Sequence, residues 1–239
     1  MGTATAGTRP QRKLRRAAIL TVLVLIGASG IGGGGYGLFH ELTRGPTHAE
    51  LTRASNAEQA QRWQELPVGK IFPAAITYTT DVGSHEQAHL VGVVPAGGCA
   101  TAADPAAARM LGAHGCRSVL RGTYADPSGT VLVTIGVAVM PSTAAAGSAL
   151  DAMPSGHGVL PAGFGGTLAS GFGGDKHLTY DTSSGLGPYL IMAALGYADG
   201  RAAPEMPDAM PDFASALESS IEVTLDISIP PCRAKDVRC

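Results

Sequence analysis

The sequence predicts an α+β domain that is held outside a membrane by one N-terminal transmembrane helix. An uncharged apolar run, residues 17–39, follows a short basic tail. Beyond it, runs rich in β-branched residues alternate with short Ala-rich segments and with Gly, Pro and Asp turns, which favours a mainly antiparallel sheet with short helices packed on it. The predicted organisation is a cytoplasmic tail (1–16), a transmembrane helix (17–39), a juxtamembrane stalk helix (40–66) and an extracytoplasmic domain (67–239).

The charge distribution gives the apolar run a direction. Five cations and no acid precede it, whereas 12 cations and 19 acids follow it, so the outer part carries a net charge of −7. Cations beside one end of a span mark its cytoplasmic side, which predicts a single-pass plasma-membrane protein with its N-terminus in the cytoplasm. Because binding to phosphates needs a basic face, the acidic outer part argues against nucleic acid as a partner. The predicted partners are the lipid bilayer, through residues 17–39, and an envelope protein that the sequence does not identify.

The apolar run has a second interpretation as a cleavable secretory signal. A basic tail followed by the short apolar stretch 17–26 fits such a signal, and Ala28, Ser29 and Gly30 provide a small-residue cleavage site. A membrane span needs about 20 apolar residues, and the longer stretch 17–39 supplies this length. Retention is therefore favoured over cleavage, and both interpretations export the same domain.

The segment after the span predicts a polar helix over residues 47–66. Thr47 and Glu50 have the spacing of a capping box, in which each side chain satisfies a free backbone N–H of the first turn. The apolar stripe of this helix is thin. We expect the helix to dock on the outer domain through Trp63 and Leu66.

The sequence of the outer domain predicts strands, helices and one long loop. A β-hairpin is predicted where two apolar runs flank the turn 126–129, Asp-Pro-Ser-Gly. Regular alternation of apolar and polar residues predicts a half-buried strand at 221–229. The predicted strands are 71–80, 88–94 (stopped by Pro95), 118–124, 130–140, 188–197 and 221–229; the predicted helices are 104–114, 142–153 and 208–219, and residues 154–184 form a loop.

Four cysteines follow the span: Cys99, Cys116, Cys232 and Cys239. An even number of cysteines in an oxidising compartment favours disulfides, and three pairings are possible. Pairing of sequence neighbours, Cys99 with Cys116 and Cys232 with Cys239, is favoured. A zinc site made from all four thiolates is the alternative, but the sequence has no CxxC pair.

One catalytic pattern is present, His85-Glu86-Gln87-Ala88-His89, which matches HExxH. On a helix, His85 and His89 would share a face and bind zinc, and Glu86 would act as general base of a metallopeptidase. The third metal ligand of the extended pattern is missing, because Pro95 occupies its position. The flanking residues favour a turn and a strand, in which the two histidines would lie about 13 Å apart. The sequence therefore favours a non-catalytic structural, sensing or partner-binding domain without a cofactor, with a zinc peptidase as the alternative.

The layout resembles membrane-anchored extracytoplasmic proteins of unknown function from high-GC Gram-positive bacteria. The resemblance covers most of the chain and implies a location and no chemistry, so it assigns no functional residues. It is carried by the basic tail and span, Trp63 to Pro73, Gly115-Cys116 before the hairpin, and Gly187-Pro188-Tyr189 leading to the stretch Gly196-Tyr197-Ala198-Asp199-Gly200-Arg201.

Overall fold

The computed structural model describes residues 43–80, 82–173, 178–180, 187–201 and 209–226. Residues 43–47 belong to one compact unit, and every helix and strand named below belongs to a second unit, His48–Val237. The helices are α1 His48–Glu65, α2 Val68–Ile71, α3 Cys99–Ala102, α4 Pro105–Ala113, α5 Thr143–Asp151 and α6 Ala209–Asp226; the strands are β1 Ala75–Thr79, β2 His85–Gly97, β3 Ser118–Ala125, β4 Val131–Val139, β5 Leu178–Tyr180 and β6 Tyr189–Tyr197.

The strands form one antiparallel sheet in the order β1-β2-β3-β4-β6-β5. The predicted α+β class with an antiparallel sheet and short helices is confirmed. Strands β3, β4 and β6 are buried along almost their whole length because both faces of the sheet are covered. Their sequences accordingly read as continuous apolar runs rather than as alternating ones.

The first face of the sheet is covered by α1, α2 and α6. Alternate residues of the central strands point to this face, among them Ile135, Val137 and Ile191, and all three are fully buried. The helices contribute Phe72, which follows α2, and the apolar stripe of α6. This is the larger core of the domain, and it is closed by segments from both ends of the described chain.

The second face carries a smaller, Ala-rich core and a buried polar cluster. Helices α3, α4 and α5 and Val159 cover it. Two central threonines also point to this face: Thr123 and Thr134 bond to each other at 2.8 Å, Thr123 donates to the carbonyl of Ala162, and Thr134 accepts from the N–H of Ala162. These bonds fix the loop after α5 to the centre of the sheet.

The predicted hairpin of β3 and β4 is confirmed. Asp126 holds its turn, because the carboxylate accepts from the backbone N–H groups of Ser128 and Val131. Gly129 adopts a φ of 69°, a left-handed conformation that glycine reaches without a steric cost.

The predicted strand at 221–229 is wrong over its described part. Residues 221–226 are the last turns of α6, and residues 227–229 lie outside the described residues. Ile221 and Leu225 are buried but Val223 is 61% exposed. Together with Ala214 and Leu217, the buried Ile221 and Leu225 are spaced three or four residues apart, as on one face of a helix. The apolar residues that suggested a strand therefore belong to the buried face of α6.

Two predicted strand boundaries also change. Residues 71–80 begin as the end of α2, and β1 starts only at Ala75. Strand β2 starts at His85 and continues past Pro95 to Gly97. Pro95 is tolerated because the pairing with β3 is irregular between Val94 and Gly97, which releases the proline from donating to the ladder. The predicted helices 104–114 and 142–153 are confirmed as α4 and α5.

The polar helix predicted at 47–66 is confirmed as α1, and Trp63 and Leu66 pack against the first core as expected. Among the described residues, no helix is both long and apolar enough to span a bilayer. The predicted transmembrane segment, residues 17–39, lies outside the described residues.

Cys99 and Cys116 form the predicted disulfide. It joins the start of α3 to the residue pair that precedes β3, beside the small second core. Cys232 and Cys239 lie outside the described residues, so their pairing stays a prediction.

The Cys99→Ser/Cys116→Ser double variant is expected to lose about 3 kcal/mol of unfolding free energy, because the loop closed by a disulfide restricts the unfolded chain. Urea denaturation followed by the fluorescence of Trp63, the single tryptophan, measures the loss. Reduced wild-type protein is the control and should show at least the same loss, because reduction also opens the predicted pair of Cys232 and Cys239. Equal midpoints for oxidised wild type and the double variant would contradict this expectation.

Candidate interaction surface

The HExxH residues lie on the strand β2, opposite β1. His85 pairs with Thr79, Glu86 with Tyr78, and the segment is extended throughout. Glu86 accepts a hydrogen bond of 2.7 Å from the hydroxyl of Tyr78, whose ring belongs to the first core. His85 and His89 are exposed and point to the opposite face.

A strand gives these three residues a different geometry from the helix of a zinc peptidase. Successive side chains alternate between faces, so Glu86 lies on the other side of the sheet from both histidines. His85 and His89 share a face at a separation of about 13 Å, too far for one ion. The part of the chain that the structure describes contains no group of three or more potential metal ligands.

The strand β1 lies at one edge of the sheet. Its N–H and C=O groups alternate between β2 and the outside, and two bonds set the phase: Leu90 donates to Ala74, and Thr80 donates to Ser84. Residues 75, 77 and 79 therefore direct their backbone groups away from β2. No strand among the described residues pairs with this outer edge.

The side chains on the second face of β1 are exposed, small and uncharged: Ala75, Thr77 and Thr79. Across the ladder they face His89, Gln87 and His85, which are also exposed. Thr79 Oγ1 and His85 Nδ1 are 3.1 Å apart. We call these six residues together with the outer backbone edge of β1 the β1 surface.

The opposite face of β1 is rigidly packed. Tyr78 is 8% exposed, and its ring lies 5.0 Å from that of Phe213 on α6. Burial, followed by the hydrogen bond to Glu86 and the charge of that carboxylate, raises the pKa of Tyr78 above its ordinary value. The core therefore holds the edge strand in place from below and leaves the β1 surface free of any packing role.

A second polar cluster centres on Asp104, which caps the N-terminus of α4. Its carboxylate accepts from the N–H groups of Ala106, Ala107 and Gly158 and from His157 Nδ1, at 2.6 to 3.3 Å. Burial opposes ionisation of Asp104, but these donors outweigh it and lower the pKa of the carboxyl. The cluster ties the loop after α5 to α4.

Two buried charged residues on the first face had no sequence signal. Arg62 is 4% exposed, forms an ion pair with Glu58 at 2.6 Å and donates to the carbonyl of Leu225 at 3.0 Å. Glu218 is 7% exposed, and its Oε1 has no hydrogen-bond partner among the described residues. In the sequence, both residues lie among other polar residues of a helix. Only contacts with other parts of the fold bury them.

In comparisons with known proteins, no family model, no curated protein and no solved structure matches this chain.

Proposed function

We propose that this chain is a single-pass envelope protein whose outer domain binds an extended segment of another envelope protein along the β1 surface. The observation that carries the proposal is the outward-facing backbone of residues 75, 77 and 79. An extended segment that adds to a sheet edge obtains its affinity from such backbone groups and its specificity from the side chains beside them. The disulfide between Cys99 and Cys116 supports an oxidising location.

The charge of the chain restricts the charge and the identity of the partner that we propose. The sequence after the span carries 12 cations and 19 acids, so two copies of the domain repel each other. The β1 surface itself has no charged group apart from what its two histidines acquire on protonation. The partner segment is therefore a strand of neutral or positive charge from a different protein, rather than a second copy of this chain.

Replacing Thr77 by proline is expected to abolish binding of the partner while the domain stays folded. Because the N–H of Thr77 points away from β2, proline removes an edge donor without breaking the bond ladder between β1 and β2. Thr77→Val is the matched control, because valine keeps the N–H and favours a strand. A photoreactive residue at the exposed Ala75 of the full-length protein, in its native membrane, measures binding as a cross-linked adduct.

The expected result is an adduct in wild type and in Thr77→Val that is lost in Thr77→Pro. Absence of any adduct, or an adduct that Thr77→Pro leaves unchanged, would overturn the proposed edge binding. An adduct of twice the chain's mass would replace the partner by a second copy. Metal analysis provides a separate test. One tightly bound zinc ion that is lost in His85→Ala would overturn the non-catalytic interpretation in favour of a metallopeptidase.

A further inference from the structure

Glu218 lies in an environment that favours the protonated, uncharged form of its carboxyl group. It lies in the middle of α6, beside the apolar stripe formed by Ala214, Leu217, Ile221 and Leu225 that covers the first face of the sheet. The side chain is 93% buried, and Oε1 has no partner in the described part of the domain. A buried carboxylate without a compensating donor is costly, whereas a protonated carboxyl is far less so.

Within the part of the chain that the structure describes, no positive charge offsets ionisation of Glu218. Helix α6 packs against α1, α2, β1, β4 and β6. Among the described residues, the only charge that acts on Glu218 is that of Glu222, one turn later on the same helix, and it is repulsive. The ionisable side chains on the packed elements are His48, Glu50, Arg53, Glu58, Arg62 and Glu65 on α1, Lys70 on α2, Tyr78 on β1, and Tyr189 and Tyr197 on β6.

Several of these groups are already engaged elsewhere. Arg62 is bound to Glu58 and to the carbonyl of Leu225, Tyr78 to Glu86, and the hydroxyl of Tyr189 to the carbonyl of Gln59. Lys70 is exposed. Burial, followed by the repulsion from Glu222, raises the pKa of Glu218 to about 8 from a model-peptide value of 4.5.

We propose that α6 is a pH-sensitive latch, which is seated on the sheet when Glu218 is protonated and is released more often as its ionised form becomes favoured. The proposal does not rest on the function proposed for the β1 surface or on any partner. Its physical basis is the cost of burying the carboxylate, which an opened helix avoids by returning Glu218 to water.

The direction of the pH dependence follows from linkage. The seated helix keeps the proton up to about pH 8, whereas the opened helix loses it near pH 4.5. Between these values opening releases one proton, so the stability of the seated state falls as pH rises and the opening equilibrium increases about tenfold per pH unit. Above pH 8 both states are ionised and the dependence levels off.

Hydrogen exchange of the full-length protein tests the latch. Amide exchange in α6, corrected for the intrinsic effect of pH and compared with β4, should show opening that rises roughly 400-fold from pH 5 to pH 8. Glu218→Gln should remove most of this rise. Asp212→Asn is the matched control, because Asp212 is exposed on the same helix and its loss should leave the rise intact.

A second variant keeps the test decisive if Glu218→Gln does not fold. Glu222→Gln removes the repulsion that helps to keep Glu218 neutral, so opening should level off at a lower pH and rise less in total. An unchanged pH profile in Glu222→Gln, or the wild-type rise in a folded Glu218→Gln, would overturn the latch. Neither result bears on the cross-linking along β1, so the two proposals fail separately.

Discussion

Replacing Arg62 by methionine is expected to destabilise the domain by about 3–5 kcal/mol, because removal of one member of a buried ion pair leaves the other uncompensated. The guanidinium binds both carboxylate oxygens of Glu58, at 2.6 and 2.8 Å, and also the carbonyl of Leu225. It therefore links α1 to the end of α6 across a separation of 163 residues. Urea denaturation of the full-length protein, followed by Trp63 fluorescence, measures the loss.

Two control variants distinguish the contribution of the ion pair to stability from a general effect of substitutions on α1. Arg53 is exposed on α1, and Arg53→Met should change stability by less than about 0.5 kcal/mol. The Glu58→Gln/Arg62→Met double variant should recover part of the loss, because no unpaired carboxylate remains. If Arg62→Met were as stable as Arg53→Met, the link between α1 and α6 would have no energetic role.

Replacing Phe72 by alanine is expected to cost about 3–5 kcal/mol, because a fully buried ring is exchanged for a cavity. The ring lies over Gly122 of β3, where an added Cβ would be only 2.4 to 2.9 Å from three ring atoms. Gly122→Ala should accordingly cost about 1–3 kcal/mol by overpacking. The same denaturation measurement applies to both variants.

The two substitutions are expected to compensate each other. In the Phe72→Ala/Gly122→Ala double variant, the new methyl group occupies space that the ring has left, so the combined loss should be smaller than the sum of the single losses. Val68→Ala, at a residue that is 43% exposed on α2, is the control for the neighbouring helix. Additive losses would show that Gly122 is not required by the ring.

Local chemistry was sufficient to predict the elements whose signals are local. The hairpin of β3 and β4 depends on Asp126 and Gly129 within its own turn. Helix α4 begins where Asp104 caps it, and the disulfide joins two cysteines that are close in sequence. In each case the stabilising groups lie within a few residues of the element or within one short loop.

Tertiary contacts decided the elements that were predicted wrongly. At the end of α6, the residues Ile221 and Leu225 fit both an alternating and a helical pattern, and the sheet beneath them selects the helix. The burial of Arg62 and Glu218 has no local signature, because it depends on the packing of α1 and α6, which lie far apart in the chain. The exposed edge of β1 could likewise not be predicted, because the sequence of a single strand does not determine its place in the order of the sheet.

The way in which the first face is closed has a consequence for the newly synthesised chain. Two of its covering helices, α1 and α6, stand at opposite ends of the described domain, and Arg62 of α1 donates to the carbonyl of Leu225 of α6. Until α6 has been synthesised, the side chains of Ile135, Val137 and Ile191 lack part of their cover. Such transiently exposed apolar surface is prone to aggregation. The newly made chain therefore needs protection until α6 is available and completes this core.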